Sequence, residues 1–344
     1  MAEYYFNLPQ ITQLTISQQA ALNETRQIAL SGGPGTGKSV VSLWRHIANY
    51  QKEEKSLLLT FTTTLAKYLS ACCTTLNINA ANNVKTSLRG KPKTGSKWSE
   101  IIIDEAQDLP ISYYADVKSI TNVSYGADDS QILYPENCSR QSELKTLFSS
   151  NADYVLDKNF RSTQRIMQFS KVLFPDAYIP QSIISGLANN IGELPVFLIT
   201  SGSNFDKTNE KQNNSIVEII NSFRSDTHNI AILVPWKTDA AVFETVLNYS
   251  SIEDFSIYYE DAIRFPSGCG SIKNVHITTF KSAKGLEFDT VIIPNFHKYR
   301  EICGSFNTEW KDYYVGVTRA RSNLYLISNY DIPQLNSVID KSII

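Results

Sequence analysis

The run Gly32-Gly33-Pro34-Gly35-Thr36-Gly37-Lys38-Ser39 has the spacing G-x-x-x-x-G-K-[ST]. Residues of these types in this order can hold a polyphosphate. Backbone N–H groups of Gly33, Gly35, Thr36 and Gly37 would converge on the anion, and the N-terminus of a following helix would add its dipole. Lys38 would neutralise the outer phosphates, and Ser39 would hold Mg²⁺ through its hydroxyl. A glycine-rich turn before an ordinary helix has a similar composition, so the flanks decide. An apolar run, Ile28-Ala29-Leu30, leads into the loop, and Val40, Trp44, Ile47 and Tyr50 recur after it at helical spacing.

A second segment supplies the carboxylates that the loop lacks. Ile101-Ile102-Ile103-Asp104-Glu105-Ala106-Gln107-Asp108 reads as a buried strand ending in two adjacent acids, and ligands of open α/β sheets sit at the carboxyl ends of strands. Asp104 would organise the Mg²⁺ shell, and Glu105 would polarise a water for attack on a γ-phosphate. Phosphoryl transfer spreads negative charge over the γ-phosphate oxygens, and a guanidinium aimed there contributes roughly 10³–10⁵ in rate. Arg161, in Asn159-Phe160-Arg161-Ser162, and Arg319, in Val317-Thr318-Arg319-Ala320-Arg321, are the candidates. Either arginine alone reads as a surface ion pair. Both lie far along the chain from the loop, and an arginine delivered from another domain makes hydrolysis depend on domain closure.

These groups need a framework, and the apolar pattern describes one. A chain of 344 residues exceeds the size at which a single core stops growing. Strands are expected over 57–61, 101–103, 122–125 and 154–156, then over 195–200, 230–234, 275–279, 290–293 and 323–327, with helices over 216–223 and 239–247 between them. Strands alternating with helices predict two doubly wound α/β domains with mostly parallel sheets, residues 1–151 and 152–344. The polar stretch 204–214 reads as a loop.

Composition excludes several classes. Hydrophobic content of 42% with 19% charged residues is that of a soluble globular chain. Apolar runs such as Leu57-Leu58-Leu59 are too short to span a bilayer, so no membrane partner is expected. Met1-Ala2-Glu3-Tyr4-Tyr5 has no secretory pattern, which points to the cytoplasm. The cysteines (Cys72, Cys73, Cys138, Cys269, Cys303) and the four histidines are scattered, which argues against a zinc site and suits reduced thiols. A net charge of −2 gives no global field for nucleic acid. One local exception, Lys85, Arg89, Lys91, Lys93 and Lys97 with no intervening acid, reads either as a solvated flexible loop or as a phosphate-backbone contact.

Taken in order along the chain, these segments resemble the motifs of the two-domain motor core of UvrD/Rep-type superfamily 1 helicases. Thr15 to Ala21 resembles the Q motif, which implies that Gln18 reads adenine. Gly32 to Ser39 matches motif I. Thr60 to Ala66 resembles motif Ia, which implies a nucleic-acid contact at Thr62. Asp104 to Asp108 matches motif II. Asp128 to Tyr134 resembles motif III, with Gln131 as γ-phosphate sensor. Leu156 to Ser162 is similar to motif IV, with Phe160 stacking on adenine and Arg161 as first finger. Thr278 to Phe288 resembles motif V, with Glu287 near the ribose and Lys281 at the nucleic acid. Tyr314 to Ala320 matches motif VI, with Arg319 as second finger. The resemblance implies tandem RecA-like P-loop NTPase domains, with ATP and Mg²⁺ in the interdomain cleft and 3′ to 5′ movement on single-stranded DNA.

The pattern also departs from that family. Residues 71–100 and 166–276 leave no room for the accessory 1B and 2B domains, and the basic stretch stands where the first would be. Motif III lacks its base-stacking tryptophan, because Pro135-Glu136-Asn137-Cys138 follows Tyr134. Such stacking is worth roughly 1–3 kcal/mol per base; Tyr134 reads either as its substitute or as a packed core ring. Two function classes therefore stand: an ATPase that translocates on or remodels single-stranded DNA or RNA, and an ATP-controlled regulatory subunit of a nuclease or other effector, as in bacterial anti-phage systems. A small-molecule P-loop kinase would leave the Asn-Phe-Arg-Ser and Thr-Arg-Ala segments without a task.

Overall fold

A computed structural model describes residue 4 and residues 8–201, 205–258, 272–305 and 307–344. The chain divides into two compact units, Phe6–Phe160 and Arg161–Ile344, the latter joined by Met1–Tyr5.

In the first unit the strands are β1 (Ile28–Ser31), β2 (Ser56–Thr60), β3 (Val84–Thr86), β4 (Glu100–Ile103), β5 (Val123–Gly126) and β6 (Ala152–Val155). They form a sheet in the order β3-β2-β4-β5-β1-β6, parallel throughout. Every residue of β1, β2, β4 and β5 is buried, because helices cover both faces of a parallel sheet. The two-residue period of a strand then divides the apolar residues. Leu57, Leu59, Ile101 and Ile103 pack with Tyr113, Tyr114 and Val117 on one face. Leu58 and Ile102 pack with Leu43, Ile47, Leu65 and Leu69 on the other.

Two sequence expectations change here. β6 pairs with β1 from Ile28–Ala152 to Ser31–Val155, so the units part at Phe160 and Arg161, later than the 151–152 boundary read from composition. The basic stretch does not begin as a loop: Lys85 lies in edge strand β3, paired with Leu59 of β2.

The second unit contains β7 (Val196–Ile199), β8 (Ile230–Val234), β9 (Ser256–Tyr258), β10 (Val275–Thr279), β11 (Phe288–Ile293), β12 (Ala320–Ser328) and β13 (Asp340–Ile343). Their order is β13-β7-β12-β11-β8-β10-β9, again parallel. The described residues of 71–100 and 166–276 contribute β3, β7, β8, β9 and part of β10 to the two sheets, with helices between them. The stretch 204–214 is not a loop from residue 205 onward, because a helix spans Phe205–Phe223. Its later turns bury Ile216, Ile219 and Ile220 in the core, and extending a helix already nucleated by such packing costs little. Gln212, buried, accepts from the Asn295 N–H at 3.0 Å, which anchors the polar half. Asn204 lies outside the described residues. Among them no helix is long and apolar enough to cross a membrane.

A buried ionic network closes the amino edge of the first sheet. Arg45 Nε donates to both Glu100 oxygens, at 2.8 and 3.0 Å. Its remaining nitrogens donate to the carbonyls of Glu24 (2.7 Å) and Arg26 (2.8 Å). Asn49 Nδ2 and the Ser124 hydroxyl also donate to Glu100, and Ser124 Oγ accepts from the Ile28 N–H that opens β1. Removing one member of a buried pair leaves an uncompensated charge, at a cost of about 3–5 kcal/mol. Glu100→Ala should therefore lower unfolding stability by that amount in urea titration, and the double change Arg45→Met, Glu100→Leu should cost less than the single one.

Candidate active site

The loop after β1 is held from outside by its own carbonyls. Thr36 Oγ1 donates to Gly33 O (2.8 Å), Asn159 Nδ2 to Pro34 O (2.9 Å), the Phe160 N–H to Gly35 O (2.9 Å) and Gln18 Nε2 to Thr36 O (2.9 Å). Tying down those carbonyls favours presentation of the intervening N–H groups to an anion. Glycine is required where the turn is tightest. Gly37 has φ +88°, and a Cβ there would lie 2.3 Å from Gln18 Nε2. It caps the helix Lys38–Gln51, whose N-terminus therefore opens on the loop.

Lys38 is 6% exposed. Its Nζ donates to Gly32 O at 2.7 Å and Gly33 O at 3.0 Å and stands 3.7 Å from Asp128 Oδ2. Asp104, at the carboxyl end of β4, is buried, and neither carboxylate oxygen closes a hydrogen bond. Burial, reinforced by the neighbouring Glu105 carboxylate, pushes its pKa up to about 7, while the nearby Ser39 hydroxyl and Lys38 ammonium pull the other way. A buried carboxylate without a donor, beside a hydroxyl at a phosphate loop, fits a hard cation. Mg²⁺ characteristically takes one or two protein oxygens and completes its shell with phosphate and water.

Glu105 connects this pair to the next motif. Gln107 Nε2 donates to Glu105 Oε2 at 2.6 Å, and Gln107 Oε1 accepts from the Asp128 N–H at 3.1 Å. Asp128 Oδ2 in turn accepts from Gln131 Nε2 at 2.6 Å. Lys38, Ser39, Asp104, Glu105 and Gln131 thus meet at the carboxyl edge of the sheet, joined by Gln107 and Asp128. Both connecting residues lie inside recognised motifs, yet residue type alone did not assign them a part.

The two adenine candidates in this unit stand differently. Gln18 is buried, with Oε1 accepting from Thr15 N–H (2.9 Å) and Nε2 bound to the loop; here it braces the turn and caps its helix instead of presenting its amide to a base. Phe160 remains available, half its surface exposed and its backbone bonded to Gly35.

The second unit gathers a separate basic cluster. Arg161 Nε lies 3.1 Å from Glu287 Oε2, and Arg321 contacts the other Glu287 oxygen at 3.6 Å. Arg319, 1% exposed, donates from Nε to Val315 O (3.0 Å) and from Nη1 to Leu286 O (3.2 Å). Tyr4, which no motif signals, is buried beside them. Its hydroxyl donates to Glu287 O and accepts from Glu287 N–H, and its ring meets Phe288 edge-on with centroids 5.7 Å apart.

The nucleic-acid candidates are scattered by comparison. Thr62 is buried and caps the helix Thr63–Thr74 by accepting from Leu65 N–H at 3.2 Å. Lys85, Arg89, Lys91 and Lys93 are exposed, and Lys91 pairs with Asp116 at 2.7 Å. Tyr134 is half-buried against Phe61, ring centroids 4.8 Å apart. Lys281 is half-buried at the end of β10.

Glu105 also carries backbone strain, with φ +56°, a left-handed conformation that costs a non-glycine residue roughly 1–2 kcal/mol. Glu105→Gly and Glu105→Ala both delete the carboxylate, so their difference isolates the backbone. The glycine variant should be the more stable by about 1 kcal/mol in chemical denaturation.

Three likenesses to known proteins accompany this geometry. Residues 262–331 match the family described as UvrD-like helicase C-terminal domain. A putative ATP-dependent DNA helicase, R568 of Acanthamoeba polyphaga mimivirus, is 27% identical over 260 residues, covering 67% of this chain and 35% of that relative. The chain therefore spans about a third of the relative's length. Saccharomyces cerevisiae Dbp5, solved bound to RNA and ADP BeF3, superposes with a TM-score of 0.56 at 12% identity, over 97% of this chain and 90% of that one. That likeness concerns fold: two tandem RecA-like domains. The family match over residues 262–331 and the mimivirus relative are in line with the UvrD/Rep-type resemblance of the motifs, and the Dbp5 likeness bears on the fold alone.

Proposed function

We propose that this chain is a Mg²⁺-dependent ATPase whose hydrolysis is coupled to binding and remodelling of single-stranded DNA. The observation that carries the reading is the buried Asp104 carboxylate with no hydrogen-bond partner, beside Lys38 and Ser39 at a braced phosphate loop. Lys38 would exchange the Gly32 and Gly33 carbonyls for the β- and γ-phosphates, keeping its charge answered throughout. Asp104 and Ser39 would hold Mg²⁺, which supplies charge neutralisation at the phosphates. Glu105 would accept a proton from the attacking water while Gln131 orients it. The water oxygen bonds to the γ-phosphorus, the bond to the β–γ bridging oxygen breaks, and ADP and phosphate result. Phe160 would stack on adenine and Glu287 would approach the ribose. Arg161 and Arg319 would answer charge on the γ-phosphate, Arg161 after leaving its ion pair with Glu287.

Lys85, Arg89, Lys93 and Lys281 remain the candidates for backbone phosphates of the strand. A second reading, an ATP-controlled subunit of a nuclease or effector, is favoured by one observation: residues 71–100 and 166–276 build the motor sheets and leave no duplex-gripping insertion among the described residues. Duplex unwinding by the isolated chain would overturn that second reading, whereas co-purification with a nuclease would support it.

Mutant kinetics test the assignments. Lys38→Ala should abolish productive ATP binding. Glu105→Gln should bind ATP normally and hydrolyse it at least a hundred-fold more slowly, on the order of a lost general base. Arg319→Ala should lower kcat by about 10³ or more with little change in ATP affinity; a loss of affinity alone would refute the finger role. Single-stranded DNA should raise the steady-state ATPase rate of the unmodified chain, and a rate indifferent to every oligonucleotide would remove the coupling.

A further inference from the structure

Motif III offers no tryptophan to stack on a base, and Tyr134 is half-buried against Phe61. Another ring stands at the carboxyl edge of the second sheet. There β8 lies between β11 and β10, and the residues following each strand collect at one end. Beyond β8 come Trp236 and Lys237, beyond β10 comes Lys281, and beyond β11 comes Lys298. The five residues of β8 are all buried, yet Trp236, just past them, is 41% exposed. Lys237 and Lys298 are exposed and Lys281 half-buried.

We propose that Trp236 is the platform on which this chain stacks a base of single-stranded DNA, with Lys237, Lys281 and Lys298 facing the flanking phosphates. This deepens, and rests on, the single-strand reading above. The chemistry fits because every base has a π-face, so a ring among cations grips a strand without reading its sequence. The segment is also held in place before any strand arrives. Phe280 N–H donates to Val234 O at 3.1 Å, and Ala240 N–H to Trp236 O at 3.2 Å. Asp239, one turn into the helix Lys237–Tyr249, takes the Trp236 backbone N–H on its carboxylate, and Lys298 stands near enough to offset that acid. A braced backbone leaves only the ring's own torsions to be ordered on binding. Tyr249, at the far end of the same helix, is more exposed still at 88%. It lies with Asp206 and Glu210, however, where phosphates would be repelled.

An oligothymidylate and an abasic oligonucleotide of equal length and charge separate stacking from electrostatics. The wild-type chain should bind the thymidylate at least ten-fold more tightly, the order of one stacked base. Trp236→Ala should abolish that preference, Trp236→Phe should retain most of it, and Tyr249→Ala should leave it intact. An undiminished base preference in Trp236→Ala would overturn the proposal. Failure of the wild-type chain to bind either oligonucleotide would instead overturn the single-strand reading beneath it. Because an alanine variant can misfold, the wild-type protein should also be photocrosslinked to a 5-iodouracil oligonucleotide. A crosslink mapped to Trp236 supports the assignment, and crosslinks confined to Tyr134 or Phe61 refute it.

Discussion

A buried ammonium beside a buried carboxylate that accepts no hydrogen bond is the constraint around which the first unit is organised. Lys38 has its charge answered by two loop carbonyls and, more distantly, by Asp128. Asp104 has no such donor, and burial alone would favour its neutral form. Burying ionisable groups this way is costly unless a ligand completes the set. The surrounding architecture keeps the cost local: strands buried on both faces stiffen the edge that carries Asp104, and the Arg45–Glu100 network closes the opposite edge of the same sheet. The strained backbone at Glu105 belongs to the same bargain between stability and a positioned carboxylate.

The motifs have different physical jobs even where they are contiguous in sequence. Asn159 and Phe160 brace the phosphate loop and belong to the first unit, whereas Arg161, the next residue, begins the second. A peptide bond thus separates a loop brace from a guanidinium that pairs with Glu287. In the second unit the carbonyls of Val315 and Leu286 orient Arg319, and Tyr4 holds the Glu287 backbone. Each proposed finger is therefore supported by groups that touch no phosphate themselves.

Several site candidates share one feature: the fold gives the polar side chain a partner within the chain. Gln18 and Thr62 are spent on helix caps and the loop brace. Lys91 pairs with Asp116. Residue type states what a side chain can bond, but not which neighbour reaches it first. The helix over Phe205–Phe223 makes the same point for secondary structure, since its polar opening turns carry no apolar period of their own.

Local chemistry made much of this protein legible in its sequence. The loop Gly32–Ser39, the strand ending in Asp104 and Glu105, and the alternation of apolar runs with helical spacing each depend on neighbours a few residues away. Periodicity and glycine spacing therefore sufficed to read two parallel α/β domains and to locate the loop and carboxylates on which the phosphate proposal rests. Tertiary structure alone decided the rest. It joined Glu105 to Gln131 through Gln107 and Asp128, assigned β6 to the first sheet, set Tyr4 against Glu287, and brought Trp236 to one sheet edge with Lys281 and Lys298. Those placements follow from strand order and register, which bring together residues far apart in the chain, and no spacing along the sequence encodes them directly.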